Sequence, residues 1–199
     1  MTNEQVVAAL DLGSTRTCAV IAQVAGDVRA PGAKVLGVGI SRETGVRRGV
    51  VRDIDETTRS IVDAMHDAQR MAGVQVPGIH CGIAGEHIQV RTPTGLASVT
   101  AEEISRPDVE RVNEVATAIS LGPDRELLHS IPQGYRVDDQ DGISDPKGMT
   151  GLRLEVQMYL VSVQTAAAQN LRKSVERAGY RVSRLVLEPL AASLAVLTE

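Results

Sequence analysis

The chain has 199 residues, 43% hydrophobic and 23% charged, the composition of a folded soluble protein of one or two domains and not of a disordered or collagen-like one. At this length roughly 70% of the unfolded surface can be buried; with no Trp, no Phe and three Tyr, the core must come from Val, Leu, Ile, Ala and five Met. A formal net charge of -4 and the scarcity of aromatic rings exclude the basic footprint and the stacking platform of a nucleic-acid binder.

The opening Met1-Thr2-Asn3-Glu4-Gln5 lacks the basic region of a signal peptide, and no apolar run approaches the roughly 20 residues of a membrane span. A cytoplasmic location is expected. Residues 6–12 are almost continuously apolar, which suits a strand buried on both faces, and a turn at Gly13-Ser14-Thr15 leads to a second run over 17–24. A Gly/Pro loop over 26–32 precedes a third run, 34–41. Residues 53–73 read as a helix: Asp53 with Glu56 forms a capping box, Ile54, Ile61, Met65, Ala68 and Ala72 share a face, the methionines fill core, and Gly73 supplies the stop. A fourth strand follows over 79–84.

From 85 to about 162 the pattern changes. Short strands at 88–91 and 96–100 precede a helix with Pro107 in its first turn and Val109, Val112, Ala116 and Ile119 on one side. Two extended runs, 127–137 and 152–163, flank a Gly/Asp/Pro-rich loop. The earlier rhythm then returns: a helix capped by Thr165, with Ala168, Leu171, Val175 and Ala178 on one face and Gly179 as its end, a strand over 181–187, and a last helix opening at Glu188-Pro189. Without the middle unit the order is strand-strand-strand-helix-strand-helix-strand-helix, an α/β fold with a mixed sheet and a small α+β subdomain inserted after its fourth strand.

Two motifs carry candidate chemistry. Asp11-Leu12-Gly13-Ser14-Thr15-Arg16-Thr17 sets a carboxylate at the end of a buried strand, then a turn of small residues. Gly13 lets the backbone approach a phosphate, successive N–H groups form an anion nest, and the hydroxyls of Ser14, Thr15 and Thr17 add donors. Asp11 can orient a hydrated Mg²⁺, which keeps several of its waters. Glu188, at the tip of a strand and the start of a helix, is either a carboxylate favoured by the helix dipole or a residue that positions an attacking water. Other constellations fail. The Asp138-Asp139-Gln140-Asp141-Gly142 run misses the ligand positions of a calcium loop and reads as a solvated acidic loop. His80, Cys81 and His87 lack metal spacing, and Cys18 and Cys81 read as two buried thiols. No nucleophile-base pair is recognisable.

The D-L-G-S-T turn and the L-E-P-L-A-A-S-L helix start resemble the first phosphate loop and first connecting motif of the actin-like (ribonuclease H-like) ATPase superfamily. R-R-G-V-V-R-D-I (47–54), G-I-A-G-E-H-I (82–88), L-L-H-S-I-P-Q-G-Y-R-V-D-D (127–139), G-I-S-D-P-K-G-M-T-G-L-R-L-E (142–155) and V-E-R-A-G-Y (175–180) closely resemble the FtsA family of bacterial cell-division proteins. The likeness runs through nearly the whole chain.

It implies a scaffold that binds ATP and Mg, polymerises in an actin-like manner, and tethers tubulin-like FtsZ filaments to the cytoplasmic membrane at the division site. By the same resemblance, 1–84 and 163–199 correspond to subdomain 1A and 85–162 to subdomain 1C, which mediates self-association and contacts with other division proteins. Arg16 stands where the family often has Lys. The family's second phosphate loop, FtsZ-binding region and membrane-binding C-terminal helix have no counterpart in the sequence, so the resemblance is to an N-terminal half, expected to hold ATP weakly by itself. Two rivals share the fold: an actin-like ATPase or a sugar or acetate kinase, and a PilM-like pilus-assembly protein.

Overall fold

A computed structural model describes residues 5–25 and 32–197. In chain order the elements are β1 (Gln5–Leu12), β2 (Arg16–Ala25), β3 (Gly32–Arg42), β4 (Val46–Arg47), β5 (Val50–Val51), α1 (Ile54–Ala72), β6 (Gly78–Ile83), β7 (Ile88–Arg91), β8 (Thr94–Ser98), α2 (Arg106–Thr117), β9 (Arg125–Val137), β10 (Gln140–Ile143), β11 (Arg153–Gln164), α3 (Thr165–Arg177), β12 (Arg181–Leu187) and α4 (Glu188–Val196). They form two compact units, Met1–His87 with Thr165–Glu199, and Ile88–Gln164.

The first unit is a mixed five-stranded sheet in the order β12-β6-β1-β2-β3. β1, β2 and β3 form an antiparallel meander, while β6 runs parallel to β1 and β12 parallel to β6. Alternation decides which face is covered. Ala8, Leu10 and Leu12 of β1 are buried with Ala19 and Ile21 of β2, on the side that receives α1. Ile61, Ala64, Met65 and Ala68 of α1 are fully buried there; burying a side chain the size of Ile or Met contributes about 1.5–3 kcal/mol. The helix lies close to β3 because Gly39 has no side chain: a Cβ at that position would sit 1.9 Å from the Ala64 carbonyl oxygen.

Several local expectations need correction. Asp53 caps α1 by accepting from the N–H groups of Asp55 and Glu56, both at 2.9 Å, but the reciprocal arm of the box is replaced. The Asp53 N–H donates to the Gly45 carbonyl at 3.0 Å, and the Glu56 carboxylate accepts from Thr44 and Arg59 instead. Met65 is core, whereas Met71 is 66% exposed, since it lies on the outer side of the last turn. The expected loop over 26–32 falls largely on residues outside the described ones. Two strands too short for any periodicity, β4 and β5, pair antiparallel as a hairpin ahead of α1.

The second unit is built on the long antiparallel pair β9 and β11, with β10 outside β9 and with β7 and β8 both on the other edge of β11. Helix α2 covers one face, and Val112, Ala116, Tyr135, Leu154, Val156 and Met158 form the core beneath it. Ser105 and Asp108 make the reciprocal capping box at its start; the Ser105 hydroxyl and N–H, then Arg111, hold the Asp108 carboxyl down to about 2. Pro132 has no N–H to give the ladder, so the pairing slips between Gln157 and Met158 and the Met158 N–H turns to the Pro93 carbonyl at 2.9 Å.

The acidic run is solvated as expected, with Asp139 and Asp141 exposed, and it takes the form of a hairpin between β9 and β10. Asp138 sits in the left-handed region (φ 51°) between β9 and β10, and its carboxylate accepts from the N–H groups of Leu152 and Arg153 at 3.1 and 2.9 Å. Asn and Asp tolerate that conformation best among residues with side chains, because the short polar group can bond nearby backbone.

Candidate functional site

In an open sheet with parallel strands, ligands bind beyond the strands' carboxyl ends. Three such ends lie side by side in the first unit: β1, β6 and β12. The register pairs Leu10 with Cys81 and Val186 with Gly82, which brings Asp11, Gly82 and Glu188 to neighbouring places along the sheet's end. Alternation puts Asp11, exposed, on the face opposite buried Leu10 and Leu12.

Glu188 folds back across the sheet. A Cβ on Gly82 would lie 2.8 Å from its Cγ and 2.9 Å from its Oε1, so the glycine supplies the room in which this side chain rests. Burial, then the charge of Asp11 and a hydrogen bond to Asp11, push the Glu188 carboxyl up to about 7. The two acids therefore stand close together, and Glu188 keeps its proton to higher pH than an ordinary carboxyl. Among the described residues no group of three or more His, Cys, Asp or Glu is arranged for a metal. A single strand-end carboxylate fits Mg²⁺ in another way, since that ion is commonly bound by one or two carboxylates with the remaining ligands drawn from water and phosphate oxygens.

Two clefts meet at Glu188 and Gly82. One, of about 350 Å³, is lined by Gly13, Ser14, Arg48, Gly82, Glu86 and Glu188 among others. The other, of about 420 Å³, contains Asp11, Cys18, His80, Gly82, Glu188 and Ala191. The turn after β1 is closed by the Gly13 N–H donating to the Arg16 carbonyl at 3.0 Å. Ser14 is held by a neighbouring turn: its Oγ accepts from the Arg48 N–H at 3.0 Å. Arg48 and Gly49 have φ of 50° and 75°, the left-handed pair that joins β4 to β5 in two residues. Only glycine fits at 49, because a Cβ there would lie 1.8 Å from the Ala84 carbonyl oxygen.

Of the residues singled out in the sequence, Asp11, Gly13, Ser14 and Glu188 thus border these two joined clefts. Thr15 and Arg16 are exposed at the hairpin tip and line neither cleft. Thr17 is a correction. It pairs with Leu12 and shares its buried face; its Oγ1 donates to Glu43 Oε2 at 2.8 Å and lies 2.9 Å from Ser60 Oγ. Glu43, also buried, accepts in addition from Ser60 Oγ and from the Thr44 and Gly45 N–H groups. Thr17 is a structural donor in that network and not a ligand of the turn. Sequence reading missed Glu43 and Ser60, but the parity of Thr17 with Ala19 and Ile21 was available as a signal. Cys81 is fully buried, with burial pushing its thiol up to about 12; Cys18 is half-buried.

Residues 85–162 match the family profile described as the SHS2 domain inserted in FtsA. Over 195 residues the chain is 35% identical to the cell division protein FtsA of Pseudomonas aeruginosa, a match covering 98% of this chain and 46% of that protein. It is 31% identical over 198 residues to FtsA of Escherichia coli K12, covering 100% of this chain and 46% of the relative. The chain spans about half the length of the curated relatives it matches. Among solved structures, a PilM-PilN type IV pilus biogenesis complex aligns with a TM-score of 0.61 at 13% identity, covering 94% of this chain and 49% of that one. At that identity the likeness shows the fold alone, an actin-like α/β architecture.

Proposed function

We propose that this chain, homologous through nearly its whole length to FtsA, is the part of a cell-division scaffold that grips a nucleotide's phosphates and contacts other division proteins. The observation that carries the reading is the meeting of Asp11 and Glu188 over Gly82, beside the Gly13-Ser14 turn. In this reading the Gly13 and Ser14 backbone and the Ser14 hydroxyl hold phosphate oxygens of ATP, and Thr15 and Arg16 close over them from the hairpin tip. Asp11 holds Mg²⁺ through water; the ion, when bound, offsets the charge of the phosphates. In its ionised form, Glu188 orients a water at the terminal phosphate in this reading and accepts its proton.

The family resemblance extends the proposal. The first unit acts as subdomain 1A, and residues 85–162 act as the inserted 1C subdomain that contacts further copies and other division proteins. The whole protein links FtsZ filaments to the cytoplasmic membrane. Among the described residues no helix is long and apolar enough to cross a membrane. PilM shares the fold, and nothing in the site separates the two; the sequence identities favour FtsA.

The test is Mg-ATP binding by calorimetry with the full-length protein and its Asp11→Asn and Ser14→Ala variants, paired with co-sedimentation of that full-length protein with FtsZ. Loss of nucleotide binding in both variants is expected, with retained folding by circular dichroism. Unchanged binding in both would refute the site; no association with FtsZ under polymerising conditions would refute the scaffold.

A further inference from the structure

Beside the Ser14 turn opens a third cleft, of about 630 Å³, lined by Ser14, Arg47, Arg48, Arg52 and Glu86. It shares Ser14, Arg48 and Glu86 with the cleft that contains Glu188, so the two adjoin. Three guanidinium groups face one carboxylate here, in a chain whose formal net charge is -4. None of the three makes an ion pair or a side-chain hydrogen bond among the described residues, although eleven other ion pairs involving arginine, lysine or histidine, such as Arg177 with Asp55, occur among them. Three positive charges and one negative charge line one cleft, and no ion pair among the described residues engages the arginines.

Arg48 adds a second, independent observation. It occupies the first position of a two-residue left-handed turn with φ 50°, where Gly, Asn or Asp is the favoured residue and a long side chain is uncommon. Its backbone already has a use, since its N–H donates to Ser14 Oγ. An asparagine would keep that N–H and suit the turn better. The arginine side chain is therefore the part of this residue that the fold does not explain.

We propose that Arg48, with Arg47 and Arg52, binds the terminal phosphate of a bound triphosphate and makes the site favour a triphosphate chain over a diphosphate one. The inference rests on the phosphate-binding reading of the Gly13-Ser14 turn. Guanidinium groups suit the task because their planar fork gives paired hydrogen bonds to phosphate oxygens, whereas a lysine acts as a point charge. Glu86, the opposing acid, lowers the positive field in the cleft. The Ser14–Arg48 bond ties the two turns together, so the arginine cleft keeps its place relative to the turn that would hold the inner phosphates.

The experiment titrates the chain with inorganic tripolyphosphate and with pyrophosphate at low salt, followed by phosphorus NMR, so that no adenosine contact enters. The variant R48N R52Q removes two charges and keeps the Arg48 backbone N–H; R47Q R52Q leaves the turn untouched and is read in the same way if the first variant loses thermal stability. At least a tenfold loss of tripolyphosphate affinity, with pyrophosphate affinity changed less than twofold, is the expected result. Equal losses for both anions overturn the proposal, since the arginines would then be a general anion surface, and so does no loss for either. Ser14→Ala in the same titration keeps the two readings apart: if it abolishes both anions while the arginine variants change neither, the phosphate turn stands and the arginine inference falls. Failure of the unaltered chain to bind either anion removes both.

Discussion

Replacing Glu188 by Gln should change the stability of the first unit in a way that depends on pH. The Glu188 carboxyl is raised from an ordinary 4.5 to about 7 by burial first and by Asp11 second. A folded value above the unfolded one means that the proton favours the folded state: the contribution is fully present below about 4.5 and is lost as pH rises through about 7. The shift of about 2.5 units sets a ceiling of roughly 3.4 kcal/mol at about 1.36 kcal/mol per unit. Glu188 is half-exposed, and solvent screening reduces that to about 1–2 kcal/mol. Gln keeps the shape but cannot ionise. At about pH 4.5 the two proteins should therefore unfold alike, and at about pH 8.5 the variant should be the more stable by about 1–2 kcal/mol, or roughly 2–6 °C in Tm. Thermal unfolding of both proteins across this range is the assay. A stability difference that does not change with pH would refute the paired-acid description, as would a Glu188 titration near 4.5 by carboxyl NMR.

Gly39→Ala puts a Cβ 1.9 Å from the Ala64 carbonyl oxygen and must push α1 off β3, at a cost of at least roughly 2 kcal/mol; an unchanged urea midpoint would contradict that close approach. Thr17→Val removes a buried donor from Glu43 and should cost about 1–3 kcal/mol by the same measurement, while leaving nucleotide affinity unchanged once folding is allowed for. A fall in affinity without a loss of stability would return Thr17 to the proposed phosphate-binding turn.

The elements that sequence reading recovered are those whose cause is local. Strands β1, β2 and β3 announce themselves by apolar runs, α1 by its spacing of Ile61, Met65 and Ala68 and by Asp53 and Gly73 at its ends, and α2 by Pro107 in its first turn and the spacing of Val109, Val112 and Ala116. What escaped is set by neighbours distant in sequence. Glu43 is buried because Thr17 and Ser60, 26 and 17 residues away, turn their hydroxyls towards it. The β4–β5 hairpin has two residues per strand, too few for any period, and its place is fixed by the Ala84 carbonyl and by Ser14. Met71 failed for a simpler reason: helix spacing identifies a stripe, and Met71 lies one step off it.

Thr17 and Gly82 show where motif and fold diverge. A run of Ser, Thr, Arg and Thr after glycine invites the reading that every hydroxyl serves the phosphate, yet side chains on a strand alternate, and from Thr17 onward the chain is strand. Ser14 precedes that change and stays on the cleft; Thr17 follows it and shares the buried parity of Ala19 and Ile21. Gly82 poses the inverse problem. Within its own strand it is an interruption between Cys81 and Ile83 that weakens β6. Its reason lies across the sheet, where the register of β12 on β6 sets Val186 opposite it and delivers the next turn's Glu188 into the space a side chain would fill. Slip β12 by one residue and alternation sends that acid to the other face, away from Asp11. The proposed chemistry thus depends less on the Asp11 or Glu188 motif taken alone than on the pairing of three strand ends, which is why an alanine at 82, silent in either motif, should disperse the acid pair.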